Sequence, residues 1–388
     1  MLSVDGLLEL IDEKVLPLPA RRIPLEECRG LRLRGDVAAR EDEPAFDRSA
    51  MDGFAVQEGA GPGWLTISHE ILPGEPPSGG ISPGHASRVY TGSALPKEVV
   101  VVKQEDILER DGKILLELST PHGFVRRRGS ATRRGDILVP GLTMLSPAEI
   151  AVLAAVGEST PLVVPRPRVA HLTTGREIVG ISEALAHGQI RNTNGPLIRA
   201  LAEQMGVAYV GNQHVDESLE AALMACEGPG FCDADLLLIS GGSSGGRYDR
   251  TAEILTRLGF AILSRSVNCR PGKPFLFGTR GHQVAVGLPG NPVSHFVTFH
   301  LFVSRILRRL GQWDIPSMIF AHLCEGAALV PDERETYWPA LAGGGEVRAQ
   351  AWLDSGHLSA LLGVNALIRI RPNESPRAGS LVEIVSAS

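Results

Sequence analysis

Residues 236–259 read LLLISGGSSGGRYDRTAEILTRLG, and this stretch decides the class of fold. It opens on an apolar run, which is typical of a strand buried on both faces of a parallel sheet. Glycines and serines follow over 240–246, and a helical pattern resumes near Asp249. A strand, a glycine loop and a helix in this order predict one unit of a doubly wound α/β domain.

The same alternation extends through residues 166–312. Short apolar runs and amphipathic patterns predict strands at 168–175, 234–242 and 283–290, and helices at 196–206, 218–228, 249–259 and 292–311. Strands that alternate with helices predict a parallel sheet covered on both faces. The segment VPRPRV at 164–169 has the composition of a linker that precedes this domain.

Outside this domain the sequence has a different character. A short amphipathic helix is predicted at 3–15, and mostly short strands are predicted over 46–122, between clusters of Gly, Pro and Ser. The segment SPAEIAVLAAVG at 146–157 carries a capping box, a proline at the first helical position and a terminal glycine, which together predict a helix. The glycine-rich strands of the last 75 residues predict a small barrel.

Composition narrows the class of protein. The 388 residues are enough for two or more domains, and the net charge of −6 comes from interspersed signs, so neither a nucleic-acid nor a membrane partner is expected. Five scattered cysteines without a C-x-x-C pair are typical of a reducing cytoplasm. The N-terminus lacks the regions of a signal peptide, and no apolar run approaches the roughly 20 residues that span a bilayer. A cytoplasmic protein is therefore expected.

Ligands of doubly wound sheets lie beyond the carboxyl ends of the strands, and three junctions there offer groups that bind ligands. In the first, Gly241, Gly242 and Ser244 provide N–H and O–H donors for an anion, although a tight glycine turn is the alternative. In the second, TTG at 173–175 precedes Glu177, whose carboxylate suits a cation or a hydroxyl. A turn with a surface acid is the alternative there.

The third junction combines RPGKP at 270–274 with LPGNPVS at 288–294. Prolines fix the backbone around Arg270 and Lys273, and both cations can pair with a phosphate or another oxyanion. The helix that follows begins with a further set of candidate residues, Pro289, Asn291, Pro292 and Ser294. The combination favours anion binding over a rigid loop with solvated charges.

Other polar groups are less distinctive by themselves. Asp52 lies in SAMDGFAV and Thr91 in TGSALP, and neither segment is diagnostic alone. The basic run at 125–135 lacks the interleaved aromatic residues of a nucleic-acid site and is interpreted as a solvated face. The eleven histidines form no H-x-x-x-H or H-E-x-x-H pattern, so no zinc ligand set is predicted.

Taken together, eight motifs resemble those of the MoeA-type molybdopterin molybdenumtransferases, the family that includes the gephyrin E-domain, and they occur in the same order. They are FDRSAMDGFAV, TGSALP with VVKQED, SPAEIAVLAAVG, TTGREIV, GQIRNTN, SGGSSGGRYD, RPGKP and GLPGNPVS. The resemblance covers nearly the whole chain. It implies molybdenum cofactor biosynthesis, in which molybdate is ligated to the dithiolene of adenylylated molybdopterin and AMP is released, with magnesium or zinc assisting.

The resemblance also implies an architecture and partners. The expected fold is multidomain α/β plus β, with a discontinuous, elongated linker domain at 1–45 and 123–165 and a β-rich insertion domain at 46–122. A MogA-like doubly wound α/β domain is expected at 166–312 and a C-terminal β-barrel at 313–388. Two chains are expected to form a homodimer, and a MogA-type adenylyltransferase and molybdoenzymes are the further partners implied.

Site roles follow from the same resemblance, motif by motif. Asp52, Thr91, Glu177 and Asp249 are the implied catalytic residues, and Glu177 and Asp249 are the implied ligands of Mg²⁺. The implied substrate-binding residues are Gly241, Gly242, Ser244, Arg270, Lys273, Pro289, Asn291, Pro292 and Ser294. In such a mechanism the cations neutralise molybdate and the pyrophosphate, while the metal polarises the adenylyl phosphate.

Acids of the family pattern are replaced in three motifs. The sequence has Gly129, Ser130 and Ala131 in place of G-E-D, Arg247 in place of an acid, and Glu98, Val99 and Val100 or nearby residues in place of G-A-D. Arg247 predicts a more positive pocket mouth, which favours an oxyanion over magnesium there. Alternatives to the active molybdate transferase stay open: a non-catalytic binder or carrier of molybdopterin or the cofactor, and a tungstate-specific paralogue. Adenylylation of molybdopterin is disfavoured, because that activity does not need the extra domains.

Overall fold

A computed structural model describes residues 1–76, 79–117, 123–216, 218–241, 250–326 and 329–387. The chain divides into two compact units, the first made of Met1–Ile23 with Leu162–Ser388 and the second of Pro24–Pro161. The division into four domains stays a prediction. Within the described ranges, no helix is both long and apolar enough to cross a membrane.

The helices are α1 (Val4–Lys14), α2 (Pro147–Ala155), α3 (Asn194–Gln204), α4 (Leu219–Glu227), α5 (Arg250–Arg257), α6 (Pro292–Thr298) and α7 (Ser304–Leu310). A π-helical segment, Phe299–Val303, joins α6 to α7, and 3₁₀ turns lie at Leu25–Glu27, Gln104–Asp106 and Leu358–Leu361. The α6 to α7 span was predicted as one helix, and the π turn in its middle was not predicted.

The strands are, in chain order, β1 (Arg21–Arg22), β2 (Arg32–Leu33), β3 (Val37–Ala38), β4 (Arg48–Ser49), β5 (Gly53–Gln57), β6 (Gly63–Ile71), β7 (His85–Val89), β8 (Val99–Lys103), β9 (Leu108–Arg110), β10 (Lys113–Leu116), β11 (Val125–Arg126), β12 (Ile137–Val139), β13 (Leu162–Val164), β14 (Arg168–Thr174), β15 (Ile178–Val179), β16 (Ile190–Arg191), β17 (Ala208–Val215), β18 (Leu236–Ser240), β19 (Ala261–Ser266), β20 (Cys269–Arg270), β21 (Pro274–Arg280), β22 (Gln283–Leu288), β23 (Ile319–Leu323), β24 (Glu335–Gly343), β25 (Glu346–Ala349), β26 (Ala366–Ile370) and β27 (Leu381–Ser386).

The α/β part of the first unit is built on a six-stranded sheet in the order β17-β14-β18-β22-β21-β19. Four adjacent strands, β17, β14, β18 and β22, are parallel. Strand β21 runs antiparallel to β22, because a tight turn pairs Arg280 with Gln283. The predicted parallel sheet is therefore confirmed at its centre, and the antiparallel strand β21 is a difference at its side.

Both faces of this sheet are covered, as predicted. Alternate residues of a strand point to opposite faces, and Leu238 belongs to a core that includes residues of α1, α3, α6 and α7. Its neighbour Ile239 belongs to a second core, with residues of α4 and α5. This two-sided burial explains why β18 is an unbroken apolar run.

A closed barrel forms the C-terminal part of the first unit. Strands β24, β25, β23, β27 and β26 pair in that order, and β26 pairs again with β24 to complete the ring. The short strand β20 adds to the ring beside β24. The barrel predicted for the last 75 residues is confirmed.

Helix α1 packs within the first unit. Its Val4, Leu7 and Ile11 have no exposed surface, and its Asp12 forms an ion pair with Arg305 of α7. The predicted helix at 3–15 is confirmed, and its amphipathic face supplies part of the main core.

The second unit contains a six-stranded sheet in the order β8-β5-β7-β6-β10-β9, which confirms the strand-rich reading of 46–122 for the residues described there. Helix α2 has the predicted capping box: the Ser146 hydroxyl accepts a backbone N–H bond, and Glu149 accepts one from the Ser146 backbone N–H. Gly157 follows α2 with a φ of +72°, a conformation that favours glycine.

Candidate functional site

The parallel register brings three loops to one edge of the α/β sheet. Thr173 pairs with Ser240, and Ser240 pairs with Leu288, so β14, β18 and β22 end side by side. The loops that begin at Gly175, Gly241 and Pro289 therefore leave the sheet together. This is the edge at which ligands of parallel sheets bind.

The loop after β14 begins at a constrained glycine. Gly175 has a φ of +153°, and a Cβ placed there would lie 3.0 Å from Glu177 Oε2. The Glu177 carboxylate thus lies over Gly175. The Glu177 side chain is exposed and makes no ion pair or hydrogen bond with the described residues. Thr173 and Thr174, which precede the turn, are buried.

Gly241 starts the central loop, and only glycine fits there. Its φ is +97°, and an added Cβ would lie 2.2 Å from the Thr174 carbonyl oxygen. Its own carbonyl accepts a hydrogen bond of 2.9 Å from Thr251 Oγ1 of α5. Three other predicted site residues of this junction, Gly242, Ser244 and Asp249, lie outside the described residues, as does Arg247.

The RPGKP turn lies at the same edge, because β21 starts there and runs antiparallel to β22. Gly272 has a φ of +115°, and a Cβ on it would lie 2.5 Å from Thr298 Cγ2 of α6, so the turn is packed closely on that helix. Lys273 is exposed and forms no ion pair within the described part of the chain. Its ammonium group is available to an anion.

The charge of Arg270, the other cation of this turn, is partly neutralised by an acid. Its Nη1 lies 3.0 Å from Asp332 Oδ2, and its guanidinium stacks 5.5 Å from the Trp352 ring centroid. The pKa of Asp332 is lowered, chiefly by its side-chain hydrogen bond with Arg334 and also by the charge of Arg270. A guanidinium held on two sides is oriented, but it carries less free charge than Lys273.

The loop after β22 presents a mixture of buried and exposed groups. Pro289 and Ser294 are buried, and Ser294 exposes only 4% of its surface. Asn291 is exposed, and its Nδ2 donates to Ser355 Oγ at 2.6 Å. Pro292 begins α6. The surface of this loop is therefore formed by Gly290, Asn291 and Pro292, whereas the Ser294 hydroxyl lies beneath it.

In the second unit, the structure brings Asp52 and Thr91 together. Asp52 Oδ1 accepts two hydrogen bonds from Thr91, at 2.7 Å from the backbone N–H and at 2.8 Å from the hydroxyl. These bonds hold the pKa of Asp52 below its usual range. Both residues are exposed, so a carboxylate that is ionised at neutral pH lies beside a hydroxyl at the surface.

The basic run at 125–135 is held by two acids. Arg127 Nη1 lies 2.8 Å from Asp47 Oδ2, and Arg128 Nε lies 2.7 Å from Asp42 Oδ2. Backbone N–H groups of the run also donate to both carboxylates. Asp42 and Asp47 thus fix the conformation of the segment that contains Gly129, Ser130 and Ala131.

Comparison with known proteins shows the family of this chain. Residues 2–157 match the family described as "MoeA N-terminal region (domain I and II)", and residues 170–309 match that described as "Probable molybdopterin binding domain". A protein of Nostoc sp. (strain PCC 7120) named molybdopterin molybdenumtransferase is 35% identical over 337 residues, covering 82% of this chain and 76% of the relative. The chain belongs to the MoeA family.

Two further MoeA-family relatives span almost the whole length. The molybdopterin molybdenumtransferase of Synechococcus elongatus is 32% identical and covers 93% of this chain and 92% of its own. The crystal structure titled as a molybdopterin biosynthesis MoeA protein from Pyrococcus horikosii superposes with a TM-score of 0.81 at 26% identity, and covers 100% of this chain and 99% of that one. The multidomain α/β plus β fold expected from the resemblance is thereby confirmed.

The resemblance to the MoeA family implies a divalent ion, and the described residues of this chain include one candidate ligand for it. Among the residues described, no group of three or more His, Cys, Asp or Glu side chains is placed to hold a metal ion. Magnesium is usually bound through one or two carboxylates, waters and substrate phosphates. The uncompensated Glu177 carboxylate fits an ion that arrives with phosphates, whereas a closed zinc site needs more protein ligands.

Several residues near the site were not anticipated from the sequence of this MoeA-family chain. Asp332 orients Arg270 from 62 residues away. Ser240, at the end of β18, lies between two buried histidines, His171 and His295. No local pattern signals either arrangement, because both depend on how distant strands pair.

Proposed function

We propose that this chain is a molybdopterin molybdenumtransferase that inserts molybdate into adenylylated molybdopterin and releases AMP. The observation that carries the proposal is the coincidence of MoeA family membership with one edge of the α/β sheet, where three loops begin side by side. The exposed Lys273 lies at the same edge and has no ion pair among the described residues. Such an edge suits a substrate that carries a pyrophosphate and an oxyanion.

The described side chains divide the work as follows. Lys273 neutralises charge on the incoming oxyanion or the pyrophosphate, and Arg270, oriented by Asp332, adds a directional donor. The glycines and serines that follow Ser240 in the sequence add N–H and O–H donors to this proposal. The Asp52 carboxylate remains ionised and therefore accepts hydrogen bonds during the exchange.

The overall reaction balances without a change in oxidation state. Two molybdenum–sulfur bonds replace the bonds from molybdenum to two oxygens, and these oxygens leave as two waters. The waters take up the two thiol protons of the dithiolene and two protons from solvent. Cleavage of the phosphoanhydride to AMP consumes one water. Glu177 and Asp249 would hold Mg²⁺ against the phosphates, and the ion would supply charge neutralisation of the leaving AMP.

Further features accompany the proposal. The chain acts in the cytoplasm, receives its substrate from a MogA-type adenylyltransferase, and passes its product to molybdoenzymes. It acts as a homodimer, in which Asp52 and Thr91 of one chain complete the Glu177 and Asp249 site of the other. Sedimentation that shows only monomer at micromolar concentration would remove this shared-site arrangement.

The test is AMP release from purified protein mixed with adenylylated molybdopterin, magnesium and molybdate. The proposal expects AMP to form only when molybdate is present, and expects Asp249→Asn to abolish release while ligand binding stays within about threefold. Binding of adenylylated molybdopterin without any AMP release would instead identify a non-catalytic carrier. Release driven by tungstate and not by molybdate would identify a tungstate enzyme.

A further inference from the structure

A chain of three buried polar side chains lies beneath the loops of the α/β edge. Ser240 Oγ is 2.5 Å from His171 Nε2 and 2.6 Å from His295 Nε2. Both histidines have no exposed surface, and Ser240 exposes 1%. The three residues belong to β14, β18 and α6, so the contacts join two neighbouring strands to the helix that covers them.

The hydrogen-bond partners fix which ring nitrogen carries the proton. His295 Nδ1 lies 3.2 Å from the Asn291 carbonyl oxygen, which can only accept, so Nδ1 is the protonated nitrogen. Burial lowers the pKa of His295 to about 4, so its Nε2 is unprotonated at neutral pH. The Ser240 hydroxyl must therefore donate to His295.

The same reasoning determines which ring nitrogen of His171 carries the proton. Because the Ser240 proton points to His295, the Ser240 oxygen accepts from His171 Nε2–H. Burial, and secondarily the neighbouring His295, lowers the pKa of His171 to about 3, so its Nδ1 is a bare lone pair. In agreement, His171 Nδ1 is a buried atom without a hydrogen-bond partner among the described residues. The donor direction thus runs from β14 through Ser240 to α6.

Ser240 occupies the point from which the central loop departs. Its carbonyl accepts from Thr174 Oγ1 at 3.2 Å, and the next residue, Gly241, is closely packed on Thr174. At the other end of the chain of hydrogen bonds, His295 Nδ1–H donates to the Asn291 carbonyl in the turn that begins α6. One hydroxyl therefore connects the central loop with the loop after β22.

We propose that Ser240 is a positioning residue, whose hydroxyl, held between His171 and His295, sets the spacing of the two anion-binding loops for the transfer reaction. Its relation to catalysis rests on the proposed function. Ser240 is not a nucleophile, because it is buried and its proton is already donated. Only a small side chain that both donates and accepts can make this connection, and alanine at this position would leave both imidazoles without their partner.

The test compares Ser240→Ala with Ser264→Ala, a matched control that removes another buried serine hydroxyl from the same sheet. Nitrogen NMR of the full chain with labelled histidine should show two fixed and opposite tautomers in the parent protein. We expect Ser240→Ala to free the tautomer of His171, which loses the acceptor of its Nε2–H, while His295 Nδ1–H still donates to Asn291. The variant should also lower kcat for AMP release by roughly tenfold or more, with KM within about threefold. Ser264→Ala should match the parent in both respects.

A second variant keeps the proposal testable if Ser240→Ala does not fold. His171→Leu removes the outer donor but leaves the bond between Ser240 and His295, so the His295 tautomer should persist and kcat should fall by less than about threefold. Rapid tautomer exchange in both rings of the parent would overturn the proposal. A Ser240→Ala protein that keeps the parent kcat would also overturn it. So would a His171→Leu protein that keeps the parent kcat although its His295 tautomer is free.

Failure of the proposed function gives a different result. If the parent protein releases no AMP, amide hydrogen exchange at Gly290, Asn291 and Val293 becomes the deciding measurement. At least tenfold faster exchange there in Ser240→Ala, but not in Ser264→Ala, would support the role in positioning. Equal exchange in the two variants would overturn it.

Discussion

Acidification should destabilise the first unit through its buried histidines. His171 and His295 have no exposed surface, and burial lowers their pKa values to about 3 and about 4. In the unfolded chain each has a pKa near 6.5, so below that pH the unfolded state binds protons that the folded state does not. The stability is therefore complete above about pH 7 and declines as the pH falls toward the folded pKa values.

The magnitude follows from proton linkage. Between pH 7.0 and 5.5, each histidine protonates almost fully in the unfolded state and hardly at all in the folded state, which costs about 1 kcal/mol per group. Together His171 and His295 should lower the free energy of unfolding by about 2 to 3 kcal/mol. Asp52 and Asp332 have lowered pKa values and titrate at lower pH, so they contribute little in this window.

Urea unfolding followed by tryptophan fluorescence can measure this loss. Trp338 and Trp352 are buried in the first unit, whereas Trp64 of the second unit is 47% exposed, so a Trp64→Phe background reports on the first unit. A matched variant, His300→Phe, removes another largely buried histidine whose pKa burial lowers to about 4, and it should reduce the pH-dependent loss by up to about 1 kcal/mol. A free energy of unfolding that stays constant from pH 7.0 to 5.5 would refute the reasoning.

Three further changes test other parts of the structure. Arg369→Met should lower the free energy of unfolding in urea by about 3 to 5 kcal/mol, because the buried Glu335 would lose its cation. Arg369 pairs with Glu335 inside the barrel and with Asp5 of α1. A loss below about 1 kcal/mol would contradict this assignment. Asp52→Asn should lower the rate of AMP release by about tenfold or more, because it removes a charge. The thermal midpoint should change little, since the amide oxygen still accepts from Thr91. An unchanged rate would exclude a role of Asp52 in transfer. Lys273→Met should raise KM by about tenfold and weaken the salt dependence of KM, whereas substitution of the exposed Lys113 of β10 by Met should leave both unchanged. Equal KM values in the two variants would exclude Lys273 from the site.

The features that sequence alone could predict are those with local causes. The capping box at Ser146 depends on residues three positions apart, and the apolar run of β18 reflects burial on both faces of one strand. The position of the three loops at one edge of the sheet was predictable, because parallel strands place their carboxyl ends there.

Features that depend on distant pairing could not be predicted in the same way. Asp52 and Thr91 were each undiagnostic in sequence, and they meet because β5 pairs with β7 and sets the two turns side by side. Arg270 was expected to be free, but β20 pairs with β24 and Asp332 lies beside it. His171 and His295 formed no recognisable motif, since 124 residues separate them and only the sheet and α6 unite them through Ser240.

The proposed transfer is tested most directly by counting products in a single turnover. Purified protein, adenylylated molybdopterin, magnesium and molybdate are mixed, and AMP and dithiolene-bound molybdenum are measured in the same sample. The account predicts that AMP and bound molybdenum appear at the same rate, about one for one, and that neither forms when molybdate is omitted. AMP release that does not depend on molybdate, or stable substrate binding without any AMP, would contradict it.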